Sequence, residues 1–268
     1  MIDLILIALL FSLHQICIKK GVSYGDANYG AFISLLTTSV IFTILSYNRV
    51  VFNWLFIGVM VVAGLLHFFI ARVAFYNAIS RIGANSAGSL SATRVFFASL
   101  IGIMLGENIT FKVFMMSALI FMGIWLISSP AGVRDRRGIV LAVLTGFITA
   151  LSSGVVKYGM QIRPDPVFGS AVGYVASTAI LPSVFRFERK GGERYFILAG
   201  IFVGAGHYLR YRALISYPVS VVEPFLSVYP LFTLILTGLV FRNIEKVSRN
   251  IVMGSLLIIL GIESYYLL

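Results

Sequence analysis

Apolar residues fall into ten stretches separated by short polar or turn-rich links, and the pattern predicts helices over 2–18, 29–47, 54–80, 84–106, 111–129, 138–158, 166–185, 194–216, 219–241 and 248–267. Crossing about 30 Å of hydrocarbon takes about 20 helical residues at 1.5 Å each, and most of these stretches have about that length. The links carry breakers such as Arg81-Ile82-Gly83, Ser129-Pro130-Ala131-Gly132, Arg163-Pro164-Asp165-Pro166 and Tyr217-Pro218. Those between the third and fourth stretches, and between the eighth and ninth, are short enough to demand tight antiparallel hairpins. Almost no residue is left over for a soluble domain.

The second five stretches repeat the first five. Ile18-Lys19-Lys20-Gly21 aligns with Val156-Lys157-Tyr158-Gly159, and Ser117 to Gly123 aligns with Ser255 to Gly261, both at an offset of 138. An odd number of crossings per half turns the second half upside down relative to the first. The expectation is an all-α polytopic membrane protein with ten transmembrane helices in two inverted repeats, 1–130 and 131–268. Inverted repeats are how many secondary transporters alternate access to one central site.

Composition agrees. The chain is 59% hydrophobic and 12% charged, where a soluble domain has about a quarter of its residues charged. Cys17 is the single cysteine, which leaves no intrachain disulfide or thiolate metal site. Met1-Ile2-Asp3 offers no basic leader region, so the first helix is expected to be retained. The net charge of +11 sits mostly at helix ends, which suits anionic lipid head groups rather than nucleic acid.

Basic residues also assign the sides. Links opposite the termini carry thirteen (Lys19, Lys20, Arg81, Arg134, Arg136, Arg137, Arg186, Arg189, Lys190, Arg194, Arg242, Lys246 and Arg249), against four on the terminus side: Arg49, Lys112, Lys157 and Arg163. Because positive residues favour the cytoplasm, both termini are predicted outside.

The chain resembles the ten-helix EamA-type members of the drug/metabolite transporter superfamily along its whole length. The resemblance is carried by Arg94-Val95-Phe96-Phe97-Ala98-Ser99-Leu100 running to Leu105-Gly106-Glu107, by Val222-Glu223-Pro224-Phe225 with Tyr229-Pro230-Leu231, by Gly254 and Gly261, and by the Lys–Gly endings of the first and sixth helices. It implies a pseudosymmetric basket with a central cavity and transport driven by exchange or an ion gradient. Two features depart from it: the charge bias, where the family usually has cytoplasmic termini, and Arg94, where a proline or small residue is expected.

An ionisable group inside a bilayer costs about 2.5–3.5 kcal/mol on insertion scales and marks a functional candidate. Arg94 lies near the middle of the fourth helix, and the short hairpin brings Arg72 of the third to similar depth. Two guanidiniums cannot satisfy each other, and their planar forks suit carboxylate or phosphate. Helix eight supplies Arg210 and Arg212 as further substrate-binding candidates, helix nine supplies Glu223, placed to pair with one of those arginines, and Glu223 and His207 are the gate or coupling candidates. Arg210 and Arg212 cannot share a face. His14 and Gln15 interrupt the first helix, and a histidine can change charge near neutral pH. Tyr76 and Tyr229 are polar enough to line a cavity, and Tyr229 aligns with Arg94 across the pseudo-two-fold. Lys19 and Lys157 read as interface anchors, and Pro224 and Pro230 as the makers of a kink.

These residues favour a secondary transporter of a small anionic or zwitterionic metabolite working by alternating access. An efflux pump for amino acids or drugs, or a flippase for a phosphate-linked lipid, is the alternative; cationic drugs want a free membrane carboxylate, and Glu223 has arginines beside it. The chain carries no HExxH pair, paired aspartates or Gly-x-Ser-x-Gly elbow, so no enzyme, cofactor or metal is expected. The expected partners are the substrate, lipid, and a coupling proton or counter-substrate, in a monomer or homodimer.

Overall fold

The structure, a computed structural model, describes residues 2–50, 52–128, 135–187, 191–240 and 249–267. Arg134, Arg189, Lys190, Arg242 and Lys246 of the charge count therefore lie outside the described residues. In chain order the helices are α1 (Ile2–Gly21), α2 (Ala27–Ser46), α3 (Trp54–Gly64), a π-helical turn (Leu65–Ala71), α4 (Arg72–Ile82), α5 (Ala84–Ser91), α6 (Arg94–Met104), α7 (Phe111–Ser128), α8 (Arg136–Ile162), α9 (Pro166–Val184), α10 (Glu193–Ser216), α11 (Val219–Leu226), α12 (Tyr229–Val240) and α13 (Arg249–Leu267). Among the described residues there is no strand. Each of the ten expected stretches is helical. Among the described residues, seven helical runs are long and apolar enough to cross a membrane, and α7 and α13 carry shorter apolar stretches. The remaining one, α10, is 24 residues long and contains Arg210 and Arg212.

Side chains set where helices begin. Asp26, Asn53, Asp135 and Asp165 each accept a hydrogen bond from a backbone N–H in the first turn of α2, α3, α8 and α9, which satisfies donors the helix itself cannot use. The two tight hairpins are present. One residue, Gly83, joins α4 to α5 with φ of +81°, a left-handed conformation that glycine alone adopts at little cost. Tyr217-Pro218 joins α10 to α11.

The halves interlock rather than sit side by side. Helix α1 packs on α10, and its counterpart α8 packs on α3, the π turn and α4. Helices α2 and α9 pair with each other, as do α7 and α13. Small residues set two close approaches: between α3 and α9 a Cβ on Gly64 would lie 2.3 Å from the Gly173 Cα, and between α7 and α13 one on Gly123 would lie 2.5 Å from the Gly254 carbonyl oxygen. Lipid tails are as apolar as leucine, so close backbone contact is a main source of helix association in a bilayer.

Three spans are interrupted, the third and fourth where the pattern predicts continuous helices and the ninth where its two prolines predict a kink, and all three border the same interior space. In the third, the Arg72 N–H reaches back five residues to the His67 carbonyl, forming the π turn. No proline or hydroxyl marks it in the sequence. The fourth breaks between α5 and α6, where Ser91 Oγ and Thr93 Oγ1 donate to the carbonyls of Gly88 and Leu90 three residues back, at 2.9 and 2.8 Å. Such bonds offer the backbone an alternative to the helix ladder. The ninth breaks at Ser227-Val228, between Pro224 and Pro230, each of which removes one ladder donor.

Candidate functional site

Where the interrupted spans meet α1, α8 and α10, they enclose a chamber of ≈ 70 Å³. Its polar lining includes Arg72, Arg94, Tyr229, Gln15 and all three histidines of the chain, His14, His67 and His207. A small-molecule site usually has about 300–1,000 Å³. The chamber is smaller than that range.

Behind one wall lies a three-residue charge cluster, of which Arg94 alone reaches the lining. Arg210, fully buried, donates from Nε to Glu223 Oε1 at 3.0 Å, and Ser153 Oγ donates to the same oxygen at 2.6 Å. Nη2 of Arg210 also contacts Ser153 Oγ. On the other side, Arg94 Nε lies 3.5 Å from Glu223 Oε2 and donates to Ser227 Oγ at 2.9 Å. The Arg94 guanidinium covers the Tyr229 ring, 5.1 Å from its centroid. Its Nη2 atom is buried with no hydrogen-bond partner. Because Arg94 opens α6 and Tyr229 opens α12, the N-terminal ends of two half-helices meet here, with partial positive charge at each.

Arg72 faces the chamber with neutral partners. Nη1 donates to Ser34 Oγ at 3.0 Å and Nη2 to the Tyr174 hydroxyl at 2.9 Å. The same guanidinium lies 5.1 Å from the Tyr174 ring and 5.6 Å from that of Phe68. Among the described residues, the buried formal charges are the cations Arg72, Arg94 and Arg210 and the single anion Glu223. Paired or not, a charge out of water is costly, so three cations against one anion leave positive charge that an incoming group can neutralise.

His14 Nδ1 bonds the Ala199 carbonyl at 2.9 Å; a carbonyl only accepts, so Nδ1 carries the proton. The His67 and His207 rings meet edge to face at 4.6 Å. The Tyr229 hydroxyl donates to the Gly88 carbonyl at 3.0 Å, and Thr233 Oγ1 donates to Gln15 Oε1 at 3.1 Å.

A profile of the EamA-like transporter family matches residues 1–129 and again residues 136–264. The chain belongs to the EamA-like transporter family. A solved crystal structure of a protein superposes with a TM-score of 0.78 over 99% of this chain and 98% of that one at 14% identity, a likeness of fold alone. No curated protein matches.

In this EamA-like transporter, five of the residues singled out from the sequence line the chamber (Arg72, Arg94, Tyr229, His14 and His207), and Glu223 and Arg210 stand behind Arg94. Tyr76 is fully buried beside His14, with ring centroids 5.7 Å apart, and is not part of the lining. Arg212 is exposed and lies over the Tyr208 ring at 5.8 Å, on the face of α10 away from the chamber. Lys157 donates to the carbonyls of Leu214 and Tyr217 at 2.8 and 3.1 Å, closing the end of α10 as an anchor at the helix boundary.

Sequence reading missed the neutral partners Ser34, Tyr174, Ser153 and Ser227, which are small or aromatic residues unremarkable within apolar helices. It also missed Glu107, quoted only as part of a motif. The Glu107 carboxylate accepts from the Val219 and Ser220 backbone N–H groups at 2.6 and 3.0 Å. A carboxylate from the first repeat thus caps the first turn of α11 in the second. The signal was the lone acid ending the fourth span, opposite a hairpin whose first helix turn has no side-chain cap of its own.

Proposed function

We propose that this EamA-like transporter is a secondary carrier of a small anionic or zwitterionic metabolite, bound in the chamber by Arg72 and Arg94 and moved by alternating access. The observation that carries this reading is that, among the described residues, three buried guanidiniums stand against one buried carboxylate, and two of the three, Arg72 and Arg94, line the chamber. Planar forks on two walls suit a carboxylate or phosphate group. Interlocked repeats support two-sided access, because each half packs its first helix on the other's third. The histidine trio and Glu223 would couple the cycle to a proton or a counter-substrate. A pump for lipophilic cations is less well served: Glu223 is held by Arg210 and Ser153 and faced by Arg94.

The orientation with both termini outside follows from the bias of Lys and Arg toward the opposite links and is part of the same reading. Reporter fusions at the C-terminus, one active only outside the cell and one only inside, test it. Substrate class is tested by thermal-shift screening of the purified protein with carboxylated, phosphorylated, zwitterionic and lipophilic cationic compounds. Stabilisation by acids, phosphates or zwitterions supports the proposal; stabilisation by lipophilic cations alone rejects it.

A further inference from the structure

Glu223 holds its two arginines unequally. Oε1 takes the hydrogen bonds from Arg210 and Ser153, whereas Oε2, facing Arg94 at 3.5 Å, has no hydrogen-bond partner. Arg94, 5% exposed, is likewise only partly committed, with Nε on Ser227 and Nη2 unpartnered at the chamber wall. Such an arrangement neutralises Arg94 loosely while leaving its fork open to a better acceptor. Glu223 itself does not line the chamber; Arg94 does.

We infer that Glu223 is a built-in counter-anion that stands in for the substrate's acidic group, so that loading transfers Arg94 from Glu223 to the substrate while Arg210 and Ser153 keep Glu223 in place. This inference rests on the anion reading above and gives it a cycle. In the empty carrier Glu223 neutralises Arg94, so the buried guanidinium is not left alone during the return of the unloaded protein. In the loaded carrier the substrate does so instead. Removing the internal anion tightens binding, because no competitor is displaced. The same change slows the empty return, where Arg94 has no substitute. Exchange, in which the empty carrier rebinds substrate without having to reorient, is slowed less.

The test compares wild type with Glu223→Gln and with Glu223→Asp, which keeps the charge at Arg210 but shortens the reach toward Arg94. Inorganic phosphate, succinate and glutamate serve as probes, with binding followed by thermal shift on purified protein and labelled probe followed in proteoliposomes. The Gln variant is expected to bind the responsive probe roughly tenfold more tightly and to lose net uptake more than probe-for-probe exchange. The Asp variant should move the same way by less, and it decides the question should Gln not fold. Unchanged or weaker binding by folded variants of a probe that wild type does bind overturns the counter-anion role alone. Silence of every probe with wild type and variants alike overturns the anion reading and this inference with it.

Discussion

Arg72 and Arg210 lie 138 positions apart, the offset that relates the two repeats, and they meet opposite electrostatic circumstances. Arg210 has Glu223 at 3.0 Å, whereas Arg72 has a serine and a tyrosine hydroxyl. The pseudosymmetry places a cation at equivalent depth in each half, and only one half supplies its counter-charge. That asymmetry makes Arg72 the cation with most to gain from an incoming anion. Arg72→Lys keeps the charge but loses the fork that spans Ser34 and Tyr174. We expect it to bind acidic probes about 10-fold more weakly while remaining folded, measured by thermal shift. Wild-type affinity in that variant would make Arg72 a structural strut.

Arg94 is expected to matter more for binding than for folding. Its removal leaves Glu223 still held by Arg210 and Ser153, so no buried carboxylate is stranded. Charge-assisted hydrogen bonds contribute about 1.5–3 kcal/mol, which corresponds to roughly 10- to 150-fold in affinity. Arg94→Ala should therefore abolish uptake of acidic probes into proteoliposomes at concentrations near the wild-type KM, with an unshifted gel-filtration profile. Full transport by that variant would remove Arg94 from the site.

Much of this was legible in the sequence, for a physical reason. Bilayer thickness fixes helix length, so ten stretches could be counted, and the hairpins at Gly83 and Tyr217-Pro218 left no room for other connections. Arg94 and Tyr229 each open the second half-helix of a broken span, and the Arg94 guanidinium lies over the Tyr229 ring, although the 138 offset itself pairs Tyr229 with Ser91. The break in the ninth span was legible through Pro224 and Pro230. The break in the fourth was not, because it is made by Ser91 and Thr93 hydroxyls, which a helix also tolerates. Applying the 138 offset consistently would have paired Gln15 with Ser153 and found one neutral partner of the charge cluster. The same offset sets Arg210 against Arg72 and Arg212 against Ala74, which was the signal that separates the inward arginine from the outward one.

Outside the spans, Asp135 gives a pH-dependent test of how the repeats are joined. Its carboxylate accepts from the Gly138 and Arg137 N–H groups and pairs with Arg81 at 3.2 Å. The Gly138 hydrogen bond is the largest of the effects that hold its pKa below the ordinary aspartate value, with Arg81 assisting. A carboxyl whose folded pKa is depressed adds stability above its unfolded pKa, and that stability fades as pH falls through the folded value. Asp135→Ala should therefore lower the melting temperature at neutral pH, and the gap to wild type should close on acidification below about pH 4. A gap independent of pH would assign the loss to packing rather than to the cap.

Under the alternating access proposed above, Glu107 offers a direct test of closure on the terminus side. The fourth span ends at Gly106, with φ of +80°, and the next residue turns its carboxylate onto the start of α11. Lys157 holds the neighbouring end of α10 through two carbonyls. Between them, side chains from both repeats fix the tip of the α10–α11 hairpin, the element that carries Glu223. Loss of a helix cap costs about 1 kcal/mol, a modest share of total stability but a large bias on an equilibrium between two open states. Glu107→Ala should thus fold, melt a few degrees lower, and populate the terminus-side-open form more often. A cysteine replacing Thr149 in a Cys17→Ser background reports this as faster labelling by a membrane-impermeant thiol reagent applied from that side. Equal labelling rates with and without Glu107 would mean that the cap serves folding and has no part in access.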